Sequence, residues 1–425
     1  QALRQTRQQR RQPVNNTPEL LSPAGDLDKM RFGIAYGADA VYMAGTRFGM
    51  RAAATNFDDN ALREGIAYAH AHGVKCYITV NIMPSNRDLP ALPAYLELLQ
   101  DAGADALIIA DVGVLRMARR YAPRVPVHIS TQTSILNHEA ANYWADEGAE
   151  RIVLARELSL EEIAEIRAKT PKELEIEAFV HGAMCISYSG RCLISQYMTG
   201  RDANHGACAQ PCRWNYSLME EKRPGQFFPV EEDGRGTYLY NSKDMCMIEY
   251  VPELIEAGIT SFKIEGRNKT AYYAACVTGA YRAAIDTYKK DPENFVLPQF
   301  CRDEVNKVSH REYYTGFYFG NQENGQHYGD SQYIREYEVV GMPVECDDSG
   351  KAVFALKNRF FDGEELELIQ PGQAPYVFRA ENVTDDEGTE RELFNVPQMR
   401  VHFAFPFKVS EWAILRKVKE QSMRS

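Results

Sequence analysis

The sequence lacks both a long apolar run and a signal-peptide core. A transmembrane helix needs about 20 apolar residues, and no stretch of the 425-residue chain provides them. Residues 1–17, QALRQTRQQRRQPVNNT, contain four arginines but no apolar stretch, which predicts a disordered basic tail and not an export signal. We therefore expect a cytoplasmic protein that does not enter a membrane.

An excess of positive charge is also missing. The chain has 48 Lys and Arg against 59 Asp and Glu, a net charge of −11. Indiscriminate nucleic-acid binding needs a broad positive field, so this class of protein is disfavoured. A local basic patch that holds one structured RNA is still compatible with the composition. The length favours two domains.

Several catalytic signatures are missing as well. The chain has no H-E-x-x-H, no G-x-S-x-G and no catalytic Cys–His signature, which disfavours a peptidase. No G-x-G-x-x-G follows the first predicted strand, which disfavours a doubly wound dinucleotide-binding sheet.

One pattern recurs, in which a helical segment ends in Gly and an apolar run follows. Gly closes a helix because it adopts the left-handed conformation at little cost. The apolar runs are typical of parallel strands that are buried on both faces. Together with three further apolar segments they predict eight strands, within residues 18–25, 36–45, 72–81, 102–111, 125–132, 147–156, 174–182 and 257–266.

Helical stretches separate most of these strands. Ser159, followed by Glu162, predicts a capping box at one helix start. Strands that alternate with helices over residues 18–290 predict an α/β fold, a (β/α)8 TIM-like barrel, with the open doubly wound sheet as the alternative.

The regular spacing of the strands is interrupted between strands seven and eight, where a predicted insertion covers about residues 182–258. Chain that follows a barrel strand emerges at the carboxyl end of the barrel, where active sites lie. Residues 291–330 are predicted to be a helical linker. Short strands separated by turns predict a small C-terminal all-β domain, a β-barrel, over 331–425.

The insertion carries four of the nine cysteines, Cys185, Cys192, Cys208 and Cys212, and Cys246 follows them. An odd cysteine count without an export signal indicates a reducing compartment, so metal binding is favoured over disulfides. The spacing alone is compatible with zinc or with an iron–sulfur cluster. The isolated cysteines are expected to be small buried hydrophobes.

The motifs ELLSPAGD, GADAVYMAG, STQTS, HGAMCISYSGRC, RDANHGACAQPCRW, NSKDMC and SFKIEGRNK resemble the family of collagenase-like peptidases, from residue 18 to about 290. The resemblance implies an iron–sulfur hydroxylation protein that acts on tRNA, on ribosomal RNA or on a quinone precursor. The chain is most similar to the branch that hydroxylates C5 of the tRNA wobble uridine 34, in a prephenate-dependent and oxygen-independent reaction.

The resemblance further implies a [4Fe–4S] cluster held by Cys185, Cys192, Cys208 and a fourth cysteine. We favour Cys246 as the fourth ligand, because it would pin the far end of the insertion, and Cys212 is the alternative. The implied partners are the tRNA anticodon loop, prephenate as co-substrate and the iron–sulfur assembly machinery. A peptidase and a non-catalytic protein-binding role are the remaining alternatives.

Other candidate residues lie at predicted carboxyl ends of strands, where barrel enzymes place functional groups. We predict catalytic roles for His181, Lys263 and Glu265, and substrate binding by Glu19, Asn81, Gln132 and Arg267. A buried Lys263–Glu265 brace is the alternative for that pair. Arg267 suits a carboxylate or a phosphate because its guanidinium binds either in a bidentate manner.

Overall fold

A computed structural model describes residues 17–50, 55–185, 187, 192–213, 217–219, 227–229, 243–320 and 333–419. The predicted basic tail, apart from Thr17, lies outside the described residues. Eight parallel strands of the ten-stranded first sheet close into a barrel, because the last of the eight pairs with both the seventh and the first. The predicted TIM-like barrel is therefore confirmed. Its strands are β1 Glu19–Pro23, β2 Ala40–Met43, β3 Lys75–Val80, β4 Ala106–Ile109, β5 Val127–Ile129, β6 Arg151–Val153, β7 Glu175–Ala183 and, after three insertion strands, β11 Ser261–Ile264.

Helices surround the barrel and follow its strands. Ser159 and Glu162 form the predicted capping box at one helix start, and Gly103 ends another helix with a φ of 85°. Across the described part of the chain, no helix is long and apolar enough to cross a bilayer. The helices are α1 Leu27–Ala35, α2 Asp59–Ala71, α3 Leu92–Ala102, α4 Val112–Tyr121, α5 His138–Asp146, α6 Leu160–Ala168, α7 Ile194–Thr199, α8 Val251–Glu256, α9 Ala271–Lys290 and α10 Gln299–Lys307.

The insertion between β7 and β11 contains α7, α8 and the strands β8 Ser217–Met219, β9 Phe227–Pro229 and β10 Asp244–Cys246. Strand β10 runs antiparallel to β7 and also pairs with β12, Tyr313–Tyr314, so the barrel sheet continues beyond the barrel.

The segment predicted as a helical linker packs against the barrel instead of only connecting two domains. Cys301 and Val305 of α10 are buried in the barrel's hydrophobic cluster. The Tyr318 hydroxyl donates a hydrogen bond of 2.5 Å to the Phe179 carbonyl oxygen on β7. Residues 291–320 therefore belong structurally to the barrel.

The C-terminal domain is all-β, as predicted. Its described pairings form an open antiparallel half-barrel, in which none joins β17 to β18 at the two edges. Its strands are β13 Tyr337–Cys346, β14 Lys351–Leu356, β15 Phe360–Phe361, β16 Glu365–Ile369, β17 Tyr376–Arg379, β18 Thr384–Asp385, β19 Leu393–Phe394, β20 Arg400–Ala404 and β21 Ile414–Val418.

The two domains meet around Arg416, whose side chain is fully buried. Its guanidinium contacts Glu304 of α10 at 2.5 Å and Glu367 of β16 at 2.6 Å. A buried cation that loses its partners costs several kcal/mol, so this ion-pair network holds the half-barrel in one orientation on the barrel.

Candidate active site

A cavity of about 120 Å³ lies at the carboxyl end of the barrel, beneath the insertion. The insertion is held there by backbone and side-chain hydrogen bonds. The Met83 N–H, after β3, donates to the Asn204 carbonyl oxygen at 3.1 Å, and the Asn204 side-chain amide donates to the Cys192 carbonyl oxygen at 3.2 Å. The barrel mouth is thus covered by the cysteine-bearing segment.

Four thiols line this cavity: Cys185, Cys192, Cys208 and Cys212. Two of the sulfurs accept backbone hydrogen bonds at 3.3 Å, Cys192 from the Ile194 N–H and Cys208 from the Gln210 N–H. These bonds orient both sulfurs at the cavity wall, and cysteine sulfur is the soft ligand that zinc and iron–sulfur clusters take. The insertion therefore delivers a soft-ligand set to the barrel mouth.

Within the described ranges, no three His, Cys, Asp or Glu side chains converge closely enough to hold a single metal ion. A [4Fe–4S] cluster takes four thiolates, one on each iron, so its ligands stand further apart than those of one ion. The lining supplies four cysteine sulfurs, a donor set that either a [4Fe–4S] cluster or zinc takes.

Cys246, which the sequence analysis favoured as the fourth ligand, does not line the cavity. It lies opposite His181 in the antiparallel β10–β7 ladder. Burial raises the pKa of the Cys246 thiol to about 12. The structure thus brings Cys212, and not Cys246, together with the other three cysteines, because β10 folds back along β7, away from the mouth.

Lys263 and Glu265 both line the cavity, as predicted. Lys263 is buried and its ammonium contacts the Glu177 carboxylate at 2.6 Å. Burial lowers the pKa of Lys263, although Glu177 opposes the shift. The buried brace therefore exists, but its acid is Glu177 and not Glu265. The Lys263 ammonium also lies 4.5 Å from the centre of the Tyr42 ring.

Two arginines add positive charge to the cavity. Arg267 is buried, and its guanidinium donates a hydrogen bond to the Met50 carbonyl oxygen. Arg156 donates to the Ala183 carbonyl oxygen at 2.9 Å and approaches Glu265 at 3.8 Å. Arg156 was not among the predicted residues, although it lies three residues after the last residue of β6, near a carboxyl strand end where barrel enzymes place functional groups.

The predicted amides Asn81 and Gln132 line the cavity. The Asn81 side-chain oxygen accepts a hydrogen bond of 3.2 Å from the Met50 N–H, which orients the loop after β2. Gln132 is buried in a single turn after β5. Both are placed to contact a ligand at the mouth.

Glu19 does not reach the cavity, and the expectation that it lies at a carboxyl strand end is wrong. It is the first residue of β1, so it lies at the opposite end of the barrel. Arg151 contacts it at 2.6 Å, and the Tyr77 hydroxyl donates to it at 2.7 Å. Burial alone would raise the pKa of Glu19, but the hydrogen bond and charge of Arg151 lower it. Glu19 is a structural residue of the barrel floor.

His181 also lies outside the cavity lining. It is fully surrounded by aromatic rings, with Tyr313 and Tyr281 centred 5.2 and 5.6 Å away. Burial lowers its pKa to about 3. Its imidazole lies in the wall between β7, β10 and α9. This side chain therefore does not contact the mouth.

The fold and the site define an α/β-barrel protein whose mouth carries a four-thiol cavity and whose barrel packs against a β half-barrel. The sequence matches the family model of Peptidase family U32 over residues 25–328 and that of the Peptidase family U32 C-terminal domain over 335–416. The chain therefore belongs to peptidase family U32, as the resemblance predicted.

Among its curated relatives, the chain is 38% identical to tRNA hydroxylation protein P1 of Bacillus subtilis strain 168, over 96% of both chains. It is 37% identical to tRNA hydroxylation protein P of Escherichia coli K12, over 87% of this chain and 90% of the relative. It is also 40% identical to 23S rRNA 5-hydroxycytidine C2501 synthase of the same strain, over 77% of this chain and 48% of the relative.

Proposed function

We propose that this chain is a tRNA-modifying enzyme that hydroxylates C5 of the wobble uridine 34. The observation that carries the proposal is the convergence of four cysteines and three cationic side chains on one barrel-mouth cavity. Relatives that align over nearly the whole chain are named tRNA hydroxylation proteins, which supports tRNA as the substrate. A wobble uridine lies in a single-stranded loop, so the enzyme can reach its base without opening a duplex.

We propose that Cys185, Cys192, Cys208 and Cys212 hold a [4Fe–4S] cluster. Their thiols line one cavity, and the N–H groups of Ile194 and Gln210 hydrogen-bond to the sulfurs of Cys192 and Cys208 and orient them. A bound cluster supplies redox or Lewis-acid chemistry that no amino-acid side chain offers.

Prephenate is the proposed co-substrate, and its two carboxylates suit the cations of the cavity. Arg267 and Arg156 present planar guanidinium groups, which bind carboxylates through paired hydrogen bonds. Both are oriented by backbone carbonyl oxygens. Lys263 is already paired with Glu177 and would act at longer range. Glu265 is the carboxylate that we assign to accept a proton during the reaction, because it lines the mouth beside Arg156.

The test is nucleoside mass spectrometry of tRNA from a deletion strain complemented with this chain or with variants. We expect 5-hydroxyuridine to disappear on deletion, to return with the natural chain, and to return only weakly with Arg267→Gln. Arg124→Gln is a matched control, because Arg124 is exposed and precedes β5 at the opposite end of the barrel. Unchanged tRNA nucleosides in the deletion strain would refute the proposal.

A second candidate substrate is a ribosomal RNA cytidine, which the 40% identity to the 23S rRNA synthase favours. The same deletion strain separates the two candidates, since loss of 5-hydroxycytidine from rRNA with intact tRNA would select the second. Loss of a quinone instead would select the quinone-precursor alternative. A peptidase is disfavoured, because cysteines that bind iron are not free nucleophiles.

A further inference from the structure

A second cavity of about 670 Å³ lies beside the thiol-lined one. Its walls are the loop after β11, from Glu265 to Thr270, and the segment from Tyr333 to Val339 that enters the C-terminal domain. Glu265 lines both cavities, so the two are adjacent at this residue. We refer to the larger one as the junction groove.

Cations and aromatic rings alternate in the junction groove. The side-chain nitrogens of Lys269 and Arg335 both hydrogen-bond to Ser309, at 3.0 and 3.2 Å. They also lie over the Tyr333 ring, 4.5 and 5.7 Å from its centre. Lys419 adds a further cation to the lining. Arg311 is a third cation over the Tyr333 ring, 5.1 Å from its centre. The hydrogen bonds to Ser309 hold Lys269 and Arg335 in place at the groove wall.

The chain direction explains why these side chains share one wall. Residues 333, 335 and 337 alternate along an extended segment, and successive side chains of such a segment point to opposite sides. Ile334, between them, forms a backbone bridge with His310. Tyr333, Arg335 and Tyr337 therefore line the groove together.

The charge of the groove favours an anionic ligand. Lys269, Arg335 and Lys419 outnumber the two acids of the lining, Glu265 and Glu338. A strip that combines cations with aromatic rings is typical of surfaces that bind single-stranded nucleic acid, because the cations contact phosphates and bases stack on the rings. A protein partner would not require this alternation.

The volumes of the two cavities also favour RNA binding in the junction groove. Sites for drug-sized ligands usually enclose about 300–1,000 Å³, and the thiol-lined cavity holds about 120 Å³. A base held in the smaller cavity leaves its flanking nucleotides outside it. The flanking sugar and phosphate groups need a second space, and the junction groove is adjacent to the first cavity.

We propose that the junction groove binds the single-stranded RNA that flanks the modified nucleotide, with phosphates on Lys269, Arg335 and Lys419 and one base stacked on Tyr333. The inference rests on the proposed function for its substrate class. It adds the path of the RNA strand, which leaves the barrel mouth past Glu265 and runs between the two domains.

The test measures binding of a fluorescently labelled anticodon stem–loop to the full chain by anisotropy, at several salt concentrations. The double variant Arg335→Gln/Lys419→Gln removes two exposed cations of the groove. Each phosphate contact on a single strand contributes about 0.7 to the salt slope, so we expect the slope to fall by about 1.4 and affinity at 0.1 M salt to fall about 25-fold. Tyr333→Leu should weaken binding about fivefold or more, and Tyr333→Phe should bind normally, because it keeps the stacking ring.

The matched control is Arg124→Gln/Lys172→Gln, which removes two exposed cations at the amino end of the barrel. It should bind like the natural chain. Unchanged affinity in the groove double variant, or an equal loss in the control, would overturn the inference. Binding is measured without catalysis, so the two proposals fail separately. If the groove variants lose RNA binding but the deletion strain keeps its tRNA nucleosides unaltered, only the uridine-34 proposal is refuted.

Discussion

Exchanging single cysteines for serine discriminates most directly between the two candidate fourth ligands. Cys212 lines the same cavity as Cys185, Cys192 and Cys208, whereas Cys246 lies in the β10–β7 ladder outside it. We expect Cys212→Ser to abolish stable cluster binding and Cys246→Ser to preserve it. Serine has nearly the shape of cysteine, so both variants should fold.

The free-energy cost of using Cys246 as a ligand follows from its surroundings. Burial raises its pKa from 9.0 to about 12. This shift of three units means that forming the Cys246 thiolate costs about 4 kcal/mol more than forming an ordinary one. This penalty disfavours Cys246 as a ligand of iron.

The assay is iron and sulfide content per chain, with the visible absorbance, after anaerobic reconstitution. The natural chain and Cys246→Ser should both contain close to four irons, and Cys212→Ser should contain far fewer. The reasoning is refuted if Cys246→Ser loses the cluster while Cys212→Ser retains it. Zinc in place of iron and sulfide in the natural chain would refute the cluster assignment itself.

Three further predictions concern stability. His181 has a folded-state pKa of about 3 against an ordinary 6.5, so the unfolded chain takes up a proton that the folded chain refuses. Stability should fall by about 1.4 kcal/mol for each pH unit below 6.5, and urea unfolding at pH 7 and 5.5 should show a shallower loss in His181→Gln; equal losses would contradict this. Lys263→Met removes the 2.6 Å ion pair of the buried Glu177, which keeps its 3.1 Å contact with Arg151, so it should destabilise the fold by about 3 kcal/mol. Adding Glu177→Leu should recover part of the loss, because Arg151 keeps Glu19 and Glu175; a double variant no more stable than the single one would count against the ion pair. Gly182 has a φ of 104° and a Cβ there would overlap a backbone carbonyl, so Gly182→Ala should lower the melting temperature far more than Gly73→Ala, whose φ is 71° in open space; similar shifts would show that the overlap is relieved elsewhere.

The barrel prediction was based on local patterns in the sequence. The capping box at Ser159 and the buried parallel strands are present where the sequence predicts them. These features depend on residues three to eight positions apart, and a strand buried on both faces leaves a visible apolar run. The position of the cysteine-bearing insertion at the mouth follows from chain direction alone, since every chain segment after a barrel strand leaves at the carboxyl end.

Errors arose where the outcome depended on distant residues. Glu19 was predicted at the carboxyl end of β1. It lies at the amino end, where it pairs with Arg151, 132 positions away. His181 was assigned to the mouth, but β10 returns along β7 and encloses it together with Tyr313 and Tyr281. Antiparallel return of a strand after a long insertion has no local signature in the sequence.

The sequence by itself determined the (β/α)8 architecture and the delivery of a group of thiols to the carboxyl end of the barrel, because hydrophobic periodicity and chain direction are local properties. Only the tertiary structure decided which cysteine completes the cavity lining, that Glu177 is the partner of Lys263, and that Arg156 joins Arg267 at the mouth. These arrangements depend on how strands far apart in sequence align in register and on which side chains the resulting contacts bury.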